Sequence, residues 1–288
     1  MTAKYIGLGL AAFALIGAAP ATQTDQAAAN RIRGHVQFLA SDELEGRDTG
    51  SASYRIAAQY VASQFAALGL KPGGANGSWF LDVPFRRATH QGTPTITLIS
   101  NGQRRVLKHG EEASVRPSLT QPTRNLEAPL VFAGWGINDP ILRMNDFAGV
   151  NVRGKIAVVF RGTPSSVVGE VAVHLQSSKA IMAAQAGAVG LIELPVPGRP
   201  GARSSALASY SKAPVVDWIT SSGRTGDKGL LSMAIAVSPA VGESLFTGSR
   251  MTFDQVATLA RKGGKLPSFD LASRMGVQSQ TTFSDFTS

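Results

Sequence analysis

The amino-acid sequence predicts a mixed α/β fold. Asp48–Leu68 carries apolar residues at helical spacing, whereas Thr95–Ile99 alternates apolar and polar residues and precedes Asn101-Gly102, a hairpin signal. Lys155–Leu194 has the pattern of a strand, a helix and a strand, which indicates a crossover unit. The 288 residues are 43% hydrophobic and 16% charged, enough apolar material for one large or two ordinary globular domains.

The first 21 residues have the pattern of an export signal. Lys4 supplies the positive start, Ile6–Ala18 is apolar, and Ala-Pro-Ala at 19–21 fits a cleavage site before Thr22. The alternative, a membrane anchor, requires about 20 apolar residues, and no second candidate follows. We therefore expect export to the periplasm or the extracellular space, with no stable membrane span after cleavage.

Composition excludes several classes of site. Because cysteine is absent, disulfides, thiolate metal sites and cysteine nucleophiles are excluded. The formal net charge of +9 favours anionic surfaces, but the basic residues are scattered and no basic and aromatic stripe indicates a nucleic-acid partner. Neither a Gly-x-Ser-x-Gly nucleophile elbow nor a Gly-x-x-x-x-Gly-Lys phosphate loop occurs.

The first third of the chain predicts two helices followed by strands. The helices are expected at Asn30–Ala40 and Asp48–Leu68, with Gly69 as the left-handed residue that ends the second. Ser78–Phe85 is predicted as a strand. The hairpin signal pairs Thr95–Ile99 with a returning strand, Arg104–Leu107.

From Thr120 a polar, proline-containing connection leads into a second group of elements. Short apolar runs bounded by glycine predict buried strands, and helical spacing predicts three helices. The strands are expected at Pro129–Ala133, Lys155–Phe160, Val189–Leu194, Val215–Ile219 and Met233–Val237, and the helices at Ser177–Ala186, Pro239–Phe246 and Thr252–Ala260. Pro195–Pro214 is rich in Pro, Gly, Ser and Arg and predicts an exposed loop. Gly263-Gly264 marks the end of this second group of elements.

Ordered motifs carry a resemblance to a known family. FLASDELEGRDTGS (38–51), AAQYVASQFAALGLKPGG (57–74) and SWFLDVPF (78–85) resemble the opening of secreted co-catalytic di-zinc aminopeptidases. LVFAGWGI (130–137), NDFAGVNVRGKIAVVFRG (145–162) and AAQAGAVGLIEL (183–194) are similar to the protease-associated (PA) domain inserted in that family.

The resemblance implies a division of the chain into a signal, a split peptidase domain and an insertion. Residues 1–21 are the signal peptide, 22–119 the N-terminal part of a zinc-exopeptidase α/β domain, 120–265 the β-rich PA domain, and 266–288 the start of the resumed, truncated peptidase domain. The implied reaction is hydrolysis of N-terminal residues from peptides. Two zinc ions activate a bridging water and a glutamate acts as general base.

The zinc ligands that the resemblance implies cannot be assigned to residues here. The family uses two His, two Asp and one Glu, beginning with a His-x-Asp pair. The four histidines are His35, His90, His109 and His174, and none has Asp two positions later. We therefore assign no catalytic, cofactor-binding or metal residue and expect no cofactor in this chain.

The remaining polar clusters favour structural roles. His109-Gly110-Glu111-Glu112 is predicted as a solvated turn, His90 as part of a polar turn, and His35 and His174 as packed or surface residues. Asp42, Glu43 and Glu45 are expected in a turn capped by Ser41 or Asp42 and anchored by Arg47. Arg199 and Arg203 lie on the predicted loop and are expected to be solvated.

Three functional hypotheses remain open. The first is the N-terminal and PA-domain part of an exported zinc aminopeptidase, acting on peptides in the full-length family and inactive alone. The second is a non-catalytic PA-type module that binds a protein or peptide. The third is one half of a split enzyme, completed by a separate zinc-bearing chain, because an incomplete domain presents unpaired strand edges.

Overall fold

The computed structural model describes residues 23–199, 206–220, 231 and 233–288. The predicted export signal at 1–21 and Arg203 lie outside these residues. Contacts divide the chain after Phe80 into two compact units, which are described separately below. The predicted boundary between residues 119 and 120 stays a prediction.

The first unit is helical within residues 23–80. Its elements are α1 (Gln23–Leu39), α2 (Ala52–Ala67) and two short 3₁₀ turns (Asp42–Leu44 and Ala75–Gly77), and no strand is described in this range. Both predicted helices are present, and α1 begins earlier than expected.

Side-chain and backbone caps define both ends of α2. The Oγ atom of Ser51 accepts a hydrogen bond from the backbone N–H of Tyr54 at 3.0 Å, as an N-cap serine should. At the other end, the Leu70 N–H donates to the Phe65 carbonyl at 3.1 Å, and Gly69 has a φ of +78°. This is a Schellman ending, which the sequence predicted from Gly69.

The strand predicted at Ser78–Phe85 is wrong over most of its length. The first strand, β1, comprises Pro84–His90. The Ser78 hydroxyl donates to the Phe80 carbonyl at 3.0 Å and accepts from the Phe80 N–H at 2.9 Å. Because this local turn occupies the backbone groups of Phe80, they are withdrawn from strand pairing.

The second unit combines strands and helices. After β1, its strands are β2 (Thr95–Ser100), β3 (Gln103–Leu107), β4 (Ala113–Val115), β5 (Thr123–Ala133), β6 (Asn138–Asp139), β7 (Met144–Asn145), β8 (Ile156–Phe160), β9 (Gly190–Leu194), β10 (Val215–Trp218), β11 (Ala234–Val237) and β12 (Ser268–Thr287). Its helices are α3 (Gly169–Gln185), α4 (Ala206–Lys212), α5 (Pro239–Ser244) and α6 (Phe253–Arg261).

Ten of the described strands form one mixed sheet. Its order is β10-β1-β12-β5-β8-β9-β11-β4, and β2 pairs with β12 and β3, while β6 and β7 form a separate two-stranded sheet. The 20-residue strand β12 pairs antiparallel with β1, β2 and β5. The β2–β3 hairpin turns at Asn101 and Gly102, whose φ angles are 50° and 74°, as the sequence predicted.

Four neighbouring strands, β5, β8, β9 and β11, run parallel. Helix α3 links β8 to β9, so the predicted crossover unit is confirmed. These strands are apolar because both faces are covered. Their side chains are buried along much of their length, including Leu130, Phe132, Val158, Phe160 and Ile192.

The turn that follows β5 requires glycine. Gly136 has a φ of +70°, and a Cβ atom at this position would lie 2.7 Å from Cγ1 of Val159. That separation is too short for two carbon atoms in contact, so the backbone approaches β8 more closely than any side chain permits.

Two helices differ from prediction because tertiary contacts stabilise them. Helix α3 begins at Gly169 rather than near Ser177, and Leu175 in the added part is fully buried. Helix α4 occupies residues 206–212 of the predicted exposed loop. The Leu207 side chain is buried, and its carbonyl accepts a 2.7 Å hydrogen bond from Ser114 Oγ of β4.

Candidate functional site

A polar network with two buried and two half-buried members lies where β5, β8 and β9 end. Because parallel strands end at the same edge of a sheet, the segments that follow them lie close together there, and this edge is where open α/β sheets place their sites. We call Asp146, Gln176, Lys179 and Glu193 the carboxyl-edge network. Sequence reasoning missed it: Asp146 and Glu193 lie in the motifs at 145–162 and 183–194, which indicated only the family resemblance, and Gln176 and Lys179 lie in no motif.

Lys179 is the least expected member of this network, because its side chain is fully buried. Its Nζ atom donates to the carbonyl oxygens of Phe160 and Gly162, each at 2.6 Å. Burial lowers the pKa of Lys179 to about 8, although Glu193 and Asp146 act in the opposite direction. The lysine therefore fixes the chain immediately after β8.

Asp146 has the corresponding role after β5. Its Oδ2 atom accepts hydrogen bonds from the backbone N–H groups of Trp135 and Ile137, each at 3.1 Å. Burial raises the pKa of this carboxyl group, while the two backbone bonds act to lower it. The carboxylate thus holds the glycine-containing turn that brings Trp135 to the edge.

Gln176 connects helix α3 to β9. Its amide nitrogen donates to Oε2 of Glu193 at 2.6 Å, and its amide oxygen accepts from the Gly162 N–H. Arg161 lies 3.9 Å from the same carboxylate oxygen. The Glu193 carboxylate therefore has a hydrogen-bond donor in Gln176 and a cation nearby in Arg161, at the partly exposed border of the network.

Arg199 differs from its prediction as a solvated loop residue. Its guanidinium lies 5.3 Å from the ring centre of Trp135, and one of its nitrogens donates to the Thr163 carbonyl at 3.2 Å. The indole N–H of Trp135 donates in turn to the Gly264 carbonyl at 2.9 Å. These contacts hold the Trp135 ring in place.

A cavity of about 420 Å³ opens beside Trp135 and Asp146. Apolar side chains and two cations line it, among them Leu142, Arg143, Val167 and Lys265. Its volume lies in the range of small-ligand sites. Asp146 is the member of the carboxyl-edge network that lines this cavity, and we treat the cavity as the candidate binding site of this unit.

The structure brings two of the four histidines together. The rings of His90 and His109 are 5.8 Å apart, and both contact the backbone of Val115 in β4. His90 Nε2 lies 2.8 Å from the Val115 carbonyl, and the Val115 N–H lies 3.5 Å from His109 Nε2. Burial lowers the pKa of His109, and His90 acts in the same direction.

The prediction for His90 is wrong, whereas the predicted turn at 109–112 is present. His90 is the last residue of β1 rather than part of a polar turn. The turn at 109–112 is held by side chains, since Glu112 accepts from Arg105 at 2.6 Å and from the Lys108 N–H at 2.9 Å. These bonds lower the pKa of Glu112, the Lys108 bond contributing most.

The other predicted candidates remain apart from these sites. His35 Nδ1 lies 2.8 Å from the Tyr60 hydroxyl, so it packs within the helical unit, whereas His174 is exposed on α3. Ser41 makes no side-chain cap bond, contrary to expectation. It instead hydrogen-bonds to Glu43, whose pKa is lowered chiefly by its own backbone N–H and secondly by Ser41.

The helical unit has a site of a different kind, an apolar groove of about 510 Å³. We call it the helical groove. Its lining includes Leu39, Tyr54, Val61, Phe65 and Trp79. Phe65 and Trp79 make a ring contact at 6.4 Å across it. Arg47, the expected anchor of the preceding turn, is exposed at its border.

The described residues do not fit a di-zinc centre. Within them, no group of three or more His, Cys, Asp or Glu side chains is placed to hold a metal ion. His90 and His109 lack a third ligand, and their Nε2 atoms face the Val115 backbone. No helix in the described part of the chain is long and apolar enough to cross a membrane.

Comparisons with known proteins give distant structural neighbours. No family model and no curated protein matches the chain. An aminopeptidase from Aneurinibacillus sp. strain AM-1 is 18% identical with a TM-score of 0.37, covering 90% of this chain and 46% of the other. BSAP, a zinc aminopeptidase from Bacillus subtilis, is 18% identical with a TM-score of 0.30, covering 88% and 46%.

A third neighbour is a protease of another kind. The psychrophilic subtilisin-like protease Apa1 from Pseudoalteromonas sp. AS-11 is 16% identical with a TM-score of 0.27, covering 67% of this chain and 35% of the other. The chain thus spans about half the length of the two aminopeptidases that it resembles. Likenesses of this size do not establish a family.

Proposed function

We propose that the chain is the N-terminal and PA-domain part of an exported zinc-dependent aminopeptidase, which removes N-terminal residues from peptides. The ordered motifs at 38–85 and 130–194 support this kinship. The zinc ligands and the general base would come from another polypeptide segment, so the 288 residues are inactive alone.

The helical unit supplies the observation that carries the proposal. Helices in α/β domains cover a sheet with their apolar side, yet no strand is described within residues 23–80. Large apolar side chains on α1 and α2 stay exposed, including Ile32 (63%), Ile56 (48%) and Phe65 (44%). An apolar surface of this kind marks an interface, and we assign it to contact with the zinc-bearing part of a peptidase domain.

The first test measures turnover of a leucyl chromogenic substrate by the purified chain with added zinc. We expect no release above the enzyme-free blank. Robust turnover that a chelator abolishes would contradict the proposal that this chain lacks the catalytic groups.

The second test asks whether a complementary segment exists. DNA beyond the codon for Ser288 is translated in all frames and searched for His-x-Asp followed by Glu-Glu. If a segment with both motifs is encoded, it is co-expressed with this chain. We then expect the complex, and neither part alone, to retain zinc and to turn over the substrate. A monodisperse monomer that ignores such a partner would count against the split-enzyme form.

The second candidate function is a PA-type module that binds a protein or peptide without chemistry. The cavity beside Trp135 favours it, because Arg199 and the Gly264 carbonyl hold the Trp135 ring in place beside a cavity of small-ligand size. The absence of related coding sequence after Ser288, together with peptide binding by the isolated chain, would favour this candidate over the first.

A further inference from the structure

We propose that the cavity beside Trp135 binds the carboxylate of an extended peptide. The inference rests on the second candidate function, peptide binding by a PA-type module, and adds the chemical group that is recognised. It depends on Arg143 and Lys265 as the charged contacts and on the edge of β7 as the backbone contact.

Charge is the first support. Arg143 and Lys265 both line the cavity, and both are exposed. Asp146 also lines it, but its Oδ2 atom already accepts two backbone N–H groups. Lys265 acts to lower the pKa of the Asp146 carboxyl group, so these two groups interact electrostatically. The lining therefore carries two cations against one carboxylate, and this positive balance attracts an anionic group.

The whole second unit shares this positive balance. Residues 81–288 contain 22 Lys and Arg against 14 Asp and Glu, so nearly all of the excess positive charge lies in this unit. Several cations elsewhere are paired, such as Arg86 with Asp285 and Lys155 with Asp270. Among the described residues, no ion pair within 4 Å involves Arg143 or Lys265, and both side chains are exposed where they line the cavity.

The shape of the cavity favours a peptide over a compact anion. Leu142, Pro164 and Val167 supply apolar surface beside the two cations. A volume of about 420 Å³ exceeds what a single inorganic anion fills. An apolar wall next to a cationic end suits a peptide with apolar side chains and a carboxylate.

The edge of β7 supplies backbone contacts. Met144 and Asn145, which form this strand, line the cavity. Among the described strands, β7 pairs only with β6. Because β7 has two residues, its other edge can offer the backbone N–H and C=O of about one residue to an extended chain. This is a short form of strand addition, in which side-chain pockets give selectivity.

The experiment uses N-terminally fluorescein-labelled hexapeptide libraries with randomised apolar positions, measured by fluorescence anisotropy on the purified chain. Three arms separate the sources of the carboxylate. One library has a free C-terminus, the second is C-terminally amidated, and the third is amidated but carries one internal glutamate.

We expect the free-acid or the glutamate library to bind at least about tenfold more tightly than the plain amide, as one charge-assisted contact allows. The double variant Arg143→Gln with Lys265→Gln should remove that preference. The matched control is Arg153→Gln with Lys212→Gln, which removes the same charge from exposed positions away from the cavity.

The outcomes separate the inference from the function on which it rests. Equal binding of acid and amide libraries would overturn carboxylate recognition and leave a peptide module standing. Equal loss of binding in both double variants would show a general charge effect and also overturn it. No binding of any library would overturn the peptide module as well.

Discussion

The Nζ atom of Lys179 lies 2.6 Å from the carbonyl oxygens of both Phe160 and Gly162. A fully buried ammonium therefore joins the middle of α3 to the end of β8. This contact fixes the backbone from which the cavity beside Trp135 is built. Its energetic role can be separated into charge and packing, because methionine has a similar volume and no charge.

Truncation of Lys179 should destabilise the second unit far more than its replacement by methionine. Both variants remove the hydrogen bonds that Nζ donates to the carbonyl groups of Phe160 and Gly162. Lys179→Ala also leaves a cavity, and we expect a loss of about 3 kcal/mol in the free energy of unfolding. Lys179→Met fills that cavity and removes the cost of burying a charge, which offsets the lost bonds, so we expect a change within about 1 kcal/mol. Urea titration followed by tryptophan fluorescence measures both, and equal midpoints would contradict the expectation.

Lys179 should also give the stability of the chain a pH dependence on the alkaline side. Its folded-state pKa of about 8 lies below the ordinary 10.5, so the unfolded chain binds more protons between these values. The contribution of this group to the free energy of unfolding therefore increases with pH across that window, and it is lost as the pH falls through about 8. The wild type should gain stability relative to Lys179→Met from pH 8 to pH 10. A constant difference would refute this.

Asp146 should tolerate asparagine better than alanine. Asp146→Asn keeps an oxygen that can accept from Trp135 and Ile137, whereas Asp146→Ala leaves two buried N–H groups without a partner. We expect the alanine variant to lose about 2 kcal/mol more than the asparagine variant in chemical unfolding. If the two variants unfold at the same urea concentration, the backbone bonds to Asp146 contribute nothing measurable.

The histidine pair should make the chain less stable in mild acid. The folded-state pKa of His109 lies below its ordinary value of 6.5, so the contribution of this group is fully present above pH 6.5 and is lost as pH falls through the folded-state pKa. We expect the unfolding midpoint of the wild type to drop from pH 7 to pH 5 by more than that of His109→Asn. His174→Asn, at an exposed position on α3, is the matched control and should retain the wild-type slope.

Gly136 and Gly149 give a matched pair for steric strain. Both have a left-handed φ, but a Cβ atom meets Val159 at 2.7 Å only at Gly136, and nothing lies within 4 Å at Gly149. Both alanine variants should lose about 1 kcal/mol through the backbone, and Gly136→Ala about 2 kcal/mol more through the clash. Thermal unfolding measures the difference, and coincident melting temperatures would show that β5 and β8 move apart without cost.

Local patterns predicted elements whose stability is local. Gly69 and the Asn101-Gly102 pair identified a helix end and a hairpin, because positive φ angles strongly favour these residue types. The prediction of a strand at Ser78–Phe85 was wrong because the Ser78 hydroxyl makes a local turn, and apolar periodicity does not reveal such a turn. Helix α4 was missed because its stability depends on β4, which is distant in sequence.

The candidate site likewise divides into features that local sequence predicts and features that depend on distant contacts. The sequence determined the mixed α/β class, the crossover β8–α3–β9 and the absence of a His-x-Asp pair, all of which follow from composition and short-range pattern. Only the tertiary structure placed Lys179, Asp146 and Arg199 around one edge and brought His90 to His109. These residues are joined by backbone carbonyl and N–H groups of distant segments. Backbone groups are the same at nearly every residue, so a sequence motif cannot identify which of them will bind a given side chain. Only folding brings these partners together.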